Sequence, residues 1–243
     1  MKKLLWPWIP ASALVLACAL LWQVAFTAPS FDPQPLPSNL IARSSIEGRV
    51  LARHAPSADL QPLADAFETQ QRPAYCGVAS TVIVLNALRR TRLAQSGVIG
   101  DWLTTLRVTL GGMTLDELGR LLARHGVAVE VVHADAQTLD GFRRRLRDNL
   151  GRSGDYVLVN YQRSALGQRS GGHISPVAAY SEASDRLLVL DVAAHRYPAV
   201  WVRSADLWAA VHTVDPASGL TRGFVVVREG RAHHALSAEP ASP

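Results

Sequence analysis

Cysteine is scarce in this chain of 243 residues, which contains only Cys18 and Cys76. Cys18 lies inside an apolar N-terminal stretch, so the folded part of the chain has a single thiol. One thiol forms no internal disulfide and builds no cysteine-rich structural metal site. Because 48% of the residues are hydrophobic, the sequence predicts a domain held together by its core. No metal ion or other cofactor bound by the protein is expected.

Lysine is equally rare, since Lys2 and Lys3 precede the apolar stretch and every later basic side chain, histidine apart, is an arginine. The net charge is +5, but the arginines are spread along the chain apart from a cluster within residues 143–147. A nucleic-acid-binding surface needs a basic stripe interleaved with exposed aromatic side chains. The cluster is therefore interpreted as a solvated helix face, and no nucleic-acid partner is predicted.

The N-terminal stretch, residues 1–29, is interpreted as a membrane anchor or a signal segment. Its apolar run approaches the length of about 20 residues that a helix needs to cross a bilayer. No small-x-small cleavage pattern follows it, so a retained anchor is favoured over a cleaved signal. Lys2 and Lys3 would stay in the cytoplasm, which places the folded part of the chain on the other side of the membrane.

The rest of the chain reads as one domain flanked by irregular segments. Prolines at 29, 33, 35 and 37 keep the chain extended, and residues 30–58 are predicted to be a linker and N-terminal arm. Residues 59–229 form the predicted domain, and residues 230–243 a disordered tail. Residues 91–112 are poorly patterned and are predicted to be a surface excursion.

Helical patterns precede strand patterns within this domain. Helical spacing starts at Cys76, a capping box occupies Thr114–Glu117, and a second amphipathic helix covers residues 138–150. Strands are predicted at residues 127–132, 156–161, 173–180, 187–192 and 223–228, with a short helix at 204–212. Helices followed by a run of strands indicate an α+β domain.

Cys76 is the first candidate for chemistry. It follows the loop Pro73–Tyr75 and begins a helix, where the helix dipole favours the thiolate. The first-turn amides offer half of an oxyanion hole. Single buried cysteines are also common as small hydrophobes, so this residue alone leaves both interpretations open. Gln70, six residues earlier, is either an oxyanion donor or a surface polar residue.

His173 and Asp191 supply the partners that a nucleophilic cysteine needs. His173 opens an apolar strand after two glycines, and Asp191 closes the next one. A buried carboxylate needs a partner. If these two strands form a hairpin, Asp191 can orient the His173 imidazole, which then takes the thiol proton. The alternatives are a core histidine and a turn-capping aspartate. The other histidines, at 54, 125, 133, 195, 212, 233 and 234, are interpreted as surface or linker residues.

Several segments together resemble the catalytic core of phytochelatin synthases. They are TQQRPAYCGVASTVIVLNAL, GMTLDELGRLLARHGV, VNYQRSALGQRSGGHISPVAAY, DRLLVLDVAAHRYPAVWV and TRGFVVV. The resemblance runs from about residue 38 to 228, and it is to the short bacterial form, without the cysteine-rich extension of the plant enzymes. It implies a papain-like cysteine protease fold, with a helical N-terminal part and an antiparallel sheet in the C-terminal part.

The resemblance also implies roles for particular residues. Cys76, His173 and Asp191 would form a catalytic triad, with Gln70 assisting at the oxyanion. The implied reaction removes glycine from glutathione through a γ-glutamylcysteinyl group on the cysteine, with hydrolysis ahead of phytochelatin synthesis. Positions that hold the γ-glutamyl group in the family match Arg163, Asp215 and Arg222, and these residue types suit an α-carboxylate and an α-ammonium.

One departure from the family pattern is visible. The family usually carries Arg three residues after the triad aspartate, where this chain has Ala194, with Arg196 nearby. This departure concerns the binding of substrate or of a second substrate, and it leaves the acylation chemistry intact.

The implied partners are small molecules and a membrane. Glutathione or its conjugates would be the substrates, and Cd²⁺ or Zn²⁺ would enter as metal–glutathione complexes. The expected location is the inner membrane with the domain in the periplasm, or the periplasm after secretion, and the oligomeric state, including a homodimer, stays open. Two alternatives are a papain-like peptidase that processes polypeptides at the membrane and a catalytically silent binding module.

Overall fold

The computed structural model describes residues 27–230 apart from 56, 90 and 170, together with residues 13, 15, 16, 19, 22, 23 and 26. Most of the predicted anchor, with Cys18, lies outside these described residues, as does the predicted tail from residue 231 onward, with His233 and His234. Within the described part of the chain, no helix is both long and apolar enough to span a bilayer.

One antiparallel sheet forms the centre of the described structure. Its strands are β1 (Ile41–Ala42), β2 (Ala128–His133), β3 (Asp155–Gln162), β4 (Gly172–Ser181), β5 (Arg186–Val189), β6 (Val200–Arg203) and β7 (Gly223–Arg228). Their spatial order is β1-β6-β5-β4-β3-β7-β2. The α+β class and the antiparallel sheet are confirmed.

Seven α-helices accompany the sheet between residues 27 and 230. They are α1 (Ile46–His54), α2 (Leu60–Asp65), α3 (Cys76–Arg89), α4 (Trp102–Gly111), α5 (Leu115–Arg124), α6 (Leu139–Leu150) and α7 (Ser204–Val211). The capping box at the start of α5 is present, with Thr114 and Glu117 each bonding the other's backbone. Residues 91–112 are mostly exposed, in keeping with the predicted surface excursion, but they include helix α4, which was not predicted and whose first turn is capped by Asp101.

Helices cover the sheet on both faces, which explains why its strands are apolar almost throughout. On one face α3 and α5 pack against Leu158, Ile174 and Val225. On the other, α6 and α7 pack against Val159 and Phe224, among others. The central strands are therefore fixed from both sides, and their ends are firm supports for a site.

The predicted hairpin is confirmed as the pair β4 and β5. These strands run antiparallel, with Val177 opposite Val189, and a β-bulge lies between Val177 and Ala179. The chain turns through a short 3₁₀ segment and Asp185, which adopts φ +49°. After β5 the chain continues alongside β4, where the Val192 amide donates to Ser175 Oγ at 3.3 Å. This path brings Asp191 back toward the start of β4.

Candidate active site

Cys76 is the first residue of α3 and is half-buried. The backbone amides at the start of a helix have no hydrogen-bond partner within the helix. The Cys76 amide is one of them, and it lies at the cavity end of α3. Gly77 makes room beside it, since a Cβ there would lie 2.5 Å from Met113 Sδ. The helix thus presents its positive end and one sulfur to the cavity.

His173, the second residue of β4, lies next to Cys76. The imidazole is 5% exposed, and its ring meets Tyr161 edge-on with centroids 5.6 Å apart. Tyr161 is the cross-strand neighbour of His173 on β3, so strand register fixes this contact. The sheet therefore sets the position of the imidazole, which interacts with the Cys76 sulfur.

Asp191 lies behind the histidine and is 1% exposed. Its Oδ1 is 2.9 Å from His173 Nε2 and accepts hydrogen bonds from Arg163 Nη2 at 2.8 Å and from the Ala193 amide at 2.9 Å. Three positive or donor groups thus surround one carboxylate oxygen. The structure brings Cys76, His173 and Asp191 together in the order that the sequence predicted.

The three groups shift one another's acidity. Burial raises the pKa of the Cys76 thiol, but His173, a backbone hydrogen bond from Ile174 and the Arg163 charge together lower it by more, so the pKa lies below its usual value. Burial and the Arg163 charge lower the pKa of His173, yet Asp191 and Cys76 outweigh them and raise it. Burial opposes ionisation of Asp191, but His173 and Arg163 hold its pKa far below the usual range. Together these directions favour a thiolate beside an imidazolium.

Gln70 is buried near His173, and its side-chain amide is already engaged. Its Nε2 donates to the carbonyl oxygens of Arg72 at 3.0 Å and Pro73 at 2.8 Å. Its backbone amide donates to the Val192 carbonyl at 2.8 Å. Gln70 therefore ties the loop that precedes Cys76 to the segment that carries Asp191.

Arg163 lies on the far side of the triad from Cys76. Its Nη1 donates to Gln168 at 2.7 Å and its Nη2 to Asp191, and its guanidinium sits 5.0 Å from the centroid of the Tyr197 ring. Both terminal nitrogens are thus used within the protein. The sequence placed Arg163 with the substrate-holding residues, and the structure places it against Asp191.

Asp215 and Arg222 form the opposite wall of the Cys76 cavity. Arg222 Nη1 is 3.2 Å from Asp215 Oδ2 and donates to Asn160 at 3.1 Å. A Cβ on Gly172 would lie 2.8 Å from Arg222 Nη1, so the glycine before His173 is what lets this guanidinium approach. The cavity has a volume of about 470 Å³ and is lined by Cys76, His173, Asp215 and Arg222 among others.

A second cavity lies on the other side of His173. It has a volume of about 520 Å³ and is lined by Gln70, Arg163, His195 and Arg196, with residues 27–30 and Asp32 of the N-terminal arm. Sequence reasoning assigned His195 to the surface, yet it is half-buried and faces the site. Its position four residues after Asp191 was the available signal. Arg196 lines this cavity, whereas Ala194 is exposed and absent from its walls.

No group of three or more histidine, cysteine, aspartate or glutamate side chains in the described ranges is arranged to hold a metal ion. His133 instead contacts Asp116 at 3.2 Å and the Thr221 carbonyl. Burial lowers the pKa of His133, but the hydrogen bond to Thr221 and the Asp116 carboxylate raise it by more, so the pKa lies above its usual value.

Comparisons with known proteins agree with one another. The family model for phytochelatin synthase matches residues 31–224. Glutathione gamma-glutamylcysteinyltransferase 3 of Lotus japonicus is 32% identical over 68% of this chain and 36% of its own length. Glutathione gamma-glutamylcysteinyltransferase 1 of Arabidopsis thaliana is 30% identical over 76% of this chain and 41% of its own length.

Other likenesses are more distant. The glutathione gamma-glutamylcysteinyltransferase of Schizosaccharomyces pombe is 28% identical over 82% of this chain and 51% of its own length. Xylellain, a cysteine protease from Xylella fastidiosa, has a TM-score of 0.46 at 12% identity, over 85% of this chain and 97% of that chain. The chain thus spans between 36% and 51% of the length of these three transferases. It belongs to the phytochelatin synthase family.

Proposed function

We propose that this protein is a cysteine-nucleophile enzyme that removes glycine from glutathione by way of a γ-glutamylcysteinyl thioester on Cys76. One observation carries the proposal: the sulfur, His173 and Asp191 meet in a cavity whose opposite wall is the Asp215–Arg222 pair. Membership of the phytochelatin synthase family and the similarity to glutathione gamma-glutamylcysteinyltransferases support this choice of substrate.

Acylation starts from the thiolate. Asp191 near Nε2 favours the tautomer that carries its proton there, so Nδ1 is left to take the thiol proton. The sulfur attacks the carbonyl carbon of the Cys–Gly amide, and first-turn amides of α3 stabilise the developing oxyanion. His173 then returns the proton to the amide nitrogen as the carbon–nitrogen bond breaks. Glycine leaves with a neutral amine, and γ-glutamylcysteine stays on Cys76 as a thioester.

The γ-glutamyl head is a zwitterion, and the far wall of the cavity offers both matching charges. Asp215 suits its α-ammonium and Arg222 its α-carboxylate. Arg222 lines the cavity while its terminal nitrogens contact Asn160, Gln162 and Asp215, so the α-carboxylate would share these nitrogens with the protein. Binding the head there fixes which amide lies next to the sulfur.

Gln70 and Arg163 take supporting parts in this proposal. Gln70 can stabilise the oxyanion only if its amide exchanges one loop carbonyl for the substrate oxygen, since both its N–H groups are engaged. Arg163 holds Asp191 rather than the γ-glutamyl group, because its terminal nitrogens already bond Gln168 and Asp191. The functions of both residues are therefore to fix the triad and its loop.

The thioester is proposed to go mainly to water, with transfer to a second glutathione as the minor outcome. His173 removes a proton from water, hydroxide attacks the thioester carbon, and the proton goes to the leaving sulfur. Resemblance to the short bacterial form supports this partition. Cd²⁺ and Zn²⁺ would act as thiolate complexes of glutathione. The inner-membrane anchor and periplasmic location stay part of the proposal, on the strength of Lys2, Lys3 and the apolar run.

Glycine release from glutathione tests the function directly. Purified protein should convert glutathione to glycine and γ-glutamylcysteine, and Cys76→Ala should abolish this. Intact-mass measurement after brief mixing should show the added γ-glutamylcysteinyl group on the wild type only. No glycine with or without Cd²⁺ would reject the proposal.

The same assay separates the alternatives. A papain-like peptidase acting on polypeptides would cleave peptides that lack a γ-glutamyl head, which the Asp215–Arg222 wall is expected to exclude. A silent binding module would bind glutathione without any mass change at Cys76.

A further inference from the structure

Helix α4 exposes an apolar face to solvent. Trp102 is 72% exposed, Leu103 61% and Leu110 62%, and Leu106 is half-buried. At about 100° per residue these four side chains share one arc of about 100°. Val108, on the opposite side of the helix, is buried, and so is Thr109, which lies next to the Trp102 edge of the arc. Scattered exposed apolar residues are ordinary, but a continuous apolar stripe on one helix marks an interaction surface.

The N-terminal apolar segment reaches the protein beside this helix. The Arg72 guanidinium lies 4.8 Å from the centroid of the Phe26 ring and donates to Thr109 of α4 at 2.9 Å. Trp22 stacks on Phe26 with centroids 4.0 Å apart and is itself 63% exposed. Trp22 and Phe26 therefore adjoin the face of α4 at Arg72.

An arginine lies at each edge of the apolar face. Arg107, about 40° beyond Leu103 on the helix, is exposed and pairs with Glu117 at 2.9 Å. Arg72, at the other edge beside Thr109, is half-buried. Beyond Arg107, the groove on the Val108 side of α4 also holds Arg120 and Arg124 of α5. Apolar side chains with arginines at both edges, and a tryptophan at the helix start, suit an interface with anionic lipid.

We propose that the apolar face of α4 lies on the surface of a bilayer that contains anionic lipid, with Trp102, Leu103 and Leu110 among the acyl chains near the headgroups. The adjoining N-terminal segment favours lipid over a protein partner, since an apolar stretch beside the face has the same preference. Arg107 and Leu110 also line the Cys76 cavity. Contact through α4 therefore sets the mouth of the cavity at the membrane surface.

Fluorescence quenching of Trp102 tests this on the full chain. The protein is reconstituted into vesicles of phosphatidylcholine with a minor fraction of phosphatidylglycerol, with or without bromine on the acyl chains near the headgroup. The contribution of Trp102 is obtained by subtracting the fluorescence emission of Trp102→Phe from that of the wild type. We expect bromine to reduce this difference about twofold or more. The corresponding difference for Trp208→Phe, on α7, should not change.

A pair of variants separates lipid contact from other coverings. Leu103→Glu should lift the face from the bilayer, so that bromine no longer quenches Trp102 and aqueous acrylamide does. Ile46→Glu, at a site that is 78% exposed on α1, should leave the quenching of Trp102 unchanged. If acrylamide but not bromine quenches Trp102 in the wild type, the face is in water and the proposal fails. If neither quenches it, a protein covers the face, such as a second copy of this chain, and the proposal fails equally.

Discussion

Asp59, at 0% exposure, and Asp191, at 1%, are the most deeply buried carboxylates among the described residues, yet their pKa values move in opposite directions. Asp191 Oδ1 meets Arg163, His173 and a backbone amide. Neither oxygen of Asp59 has a hydrogen-bond partner among the described residues. Burial, with a smaller contribution from the Asp155 charge, raises the pKa of Asp59 to about 8, whereas that of Asp191 is lowered.

Burial makes the ionised form of a carboxylate less favourable, and hydrogen-bond donors or positive charges around it can outweigh that cost. The two residues stand at opposite ends of β3: Asp155, beside Asp59, begins that strand, and Tyr161, beside His173, nears its end. Six residues of strand separate them by about 20 Å. The protein therefore keeps a charged carboxylate at the reacting end and a protonated one at the other.

Asp191→Asn should produce the largest change. Without the carboxylate, the imidazole loses the group that raises its pKa and orients it, so kcat/KM for glycine release should fall by about 10³-fold or more. The matched control is Asp185→Asn, which removes a carboxylate paired with Arg143 at the β4–β5 turn and should retain activity per folded molecule. A drop of only a few-fold in Asp191→Asn would contradict the assigned role.

Asp59→Asn should stabilise the fold at alkaline pH. The pKa of Asp59 is about 8 in the folded state, against 3.8 for an unperturbed aspartate such as that of the unfolded chain. Between these two pH values the folded chain therefore holds a proton that the unfolded chain has lost. Stability therefore falls as the pH rises through this window, by up to about 1.4 kcal/mol per pH unit. Urea unfolding should show the free-energy difference between variant and wild type growing by about 4 kcal/mol, in favour of the variant, from pH 5 to pH 8.5.

Glycine release by Asp59→Asn should be unchanged, because the substitution is remote from the cavity. An equal free-energy difference between variant and wild type at both pH values would show that Asp59 is ionised in the fold at each of them.

Asp215→Asn tests a third carboxylate, which forms an ion pair with the Arg222 guanidinium. Losing the partner of the substrate ammonium should cost about 2 kcal/mol, or about thirtyfold in kcat/KM for glutathione. Alkylation of Cys76 by iodoacetamide should keep its rate, since that reagent has no γ-glutamyl head. Asp191→Asn, in contrast, should slow both reactions, and a parallel loss in Asp215→Asn would place this residue in the triad network instead of the substrate wall.

The sequence was sufficient where chemistry and strand order coincide. Cys76 at a helix start, His173 near the start of β4 and Asp191 just after β5 could be predicted because a charged residue next to a buried apolar strand needs a partner. The papain-like resemblance and the α+β order of elements came from the same segments. Helix α4 was not predicted because most of its apolar residues face solvent. Its sequence therefore lacks the spacing of apolar residues that is typical of a helix packed on a core.

Other features depend on contacts that no spacing encodes. Asp59 gave no signal, since an aspartate before a helix reads as a cap, and here its side chain makes no capping bond. Gln70 was expected to face the oxyanion, but the loop carbonyls that take its N–H groups are set by tertiary folding. The family pattern predicted Arg163 as a substrate-binding residue, but it could not show that the guanidinium hydrogen-bonds Asp191.

Arg163→Met should give the smallest effect and the finest test of the comparison, because it makes Asp191 more like Asp59. Arg163 lowers the pKa values of Asp191 and Cys76 and opposes protonation of His173. Removing its charge should raise the pKa of the thiol, so the acid limb of Cys76 alkylation should move to higher pH, by about half a unit. A positioning residue predicts this shift with KM for glutathione little changed, whereas a residue that grips the γ-glutamyl group predicts a raised KM and an unmoved alkylation profile. Arg163→Lys, which keeps the charge but not the two-pronged grip, should restore the profile more fully than the turnover, and this order of rescue separates the charge from the geometry.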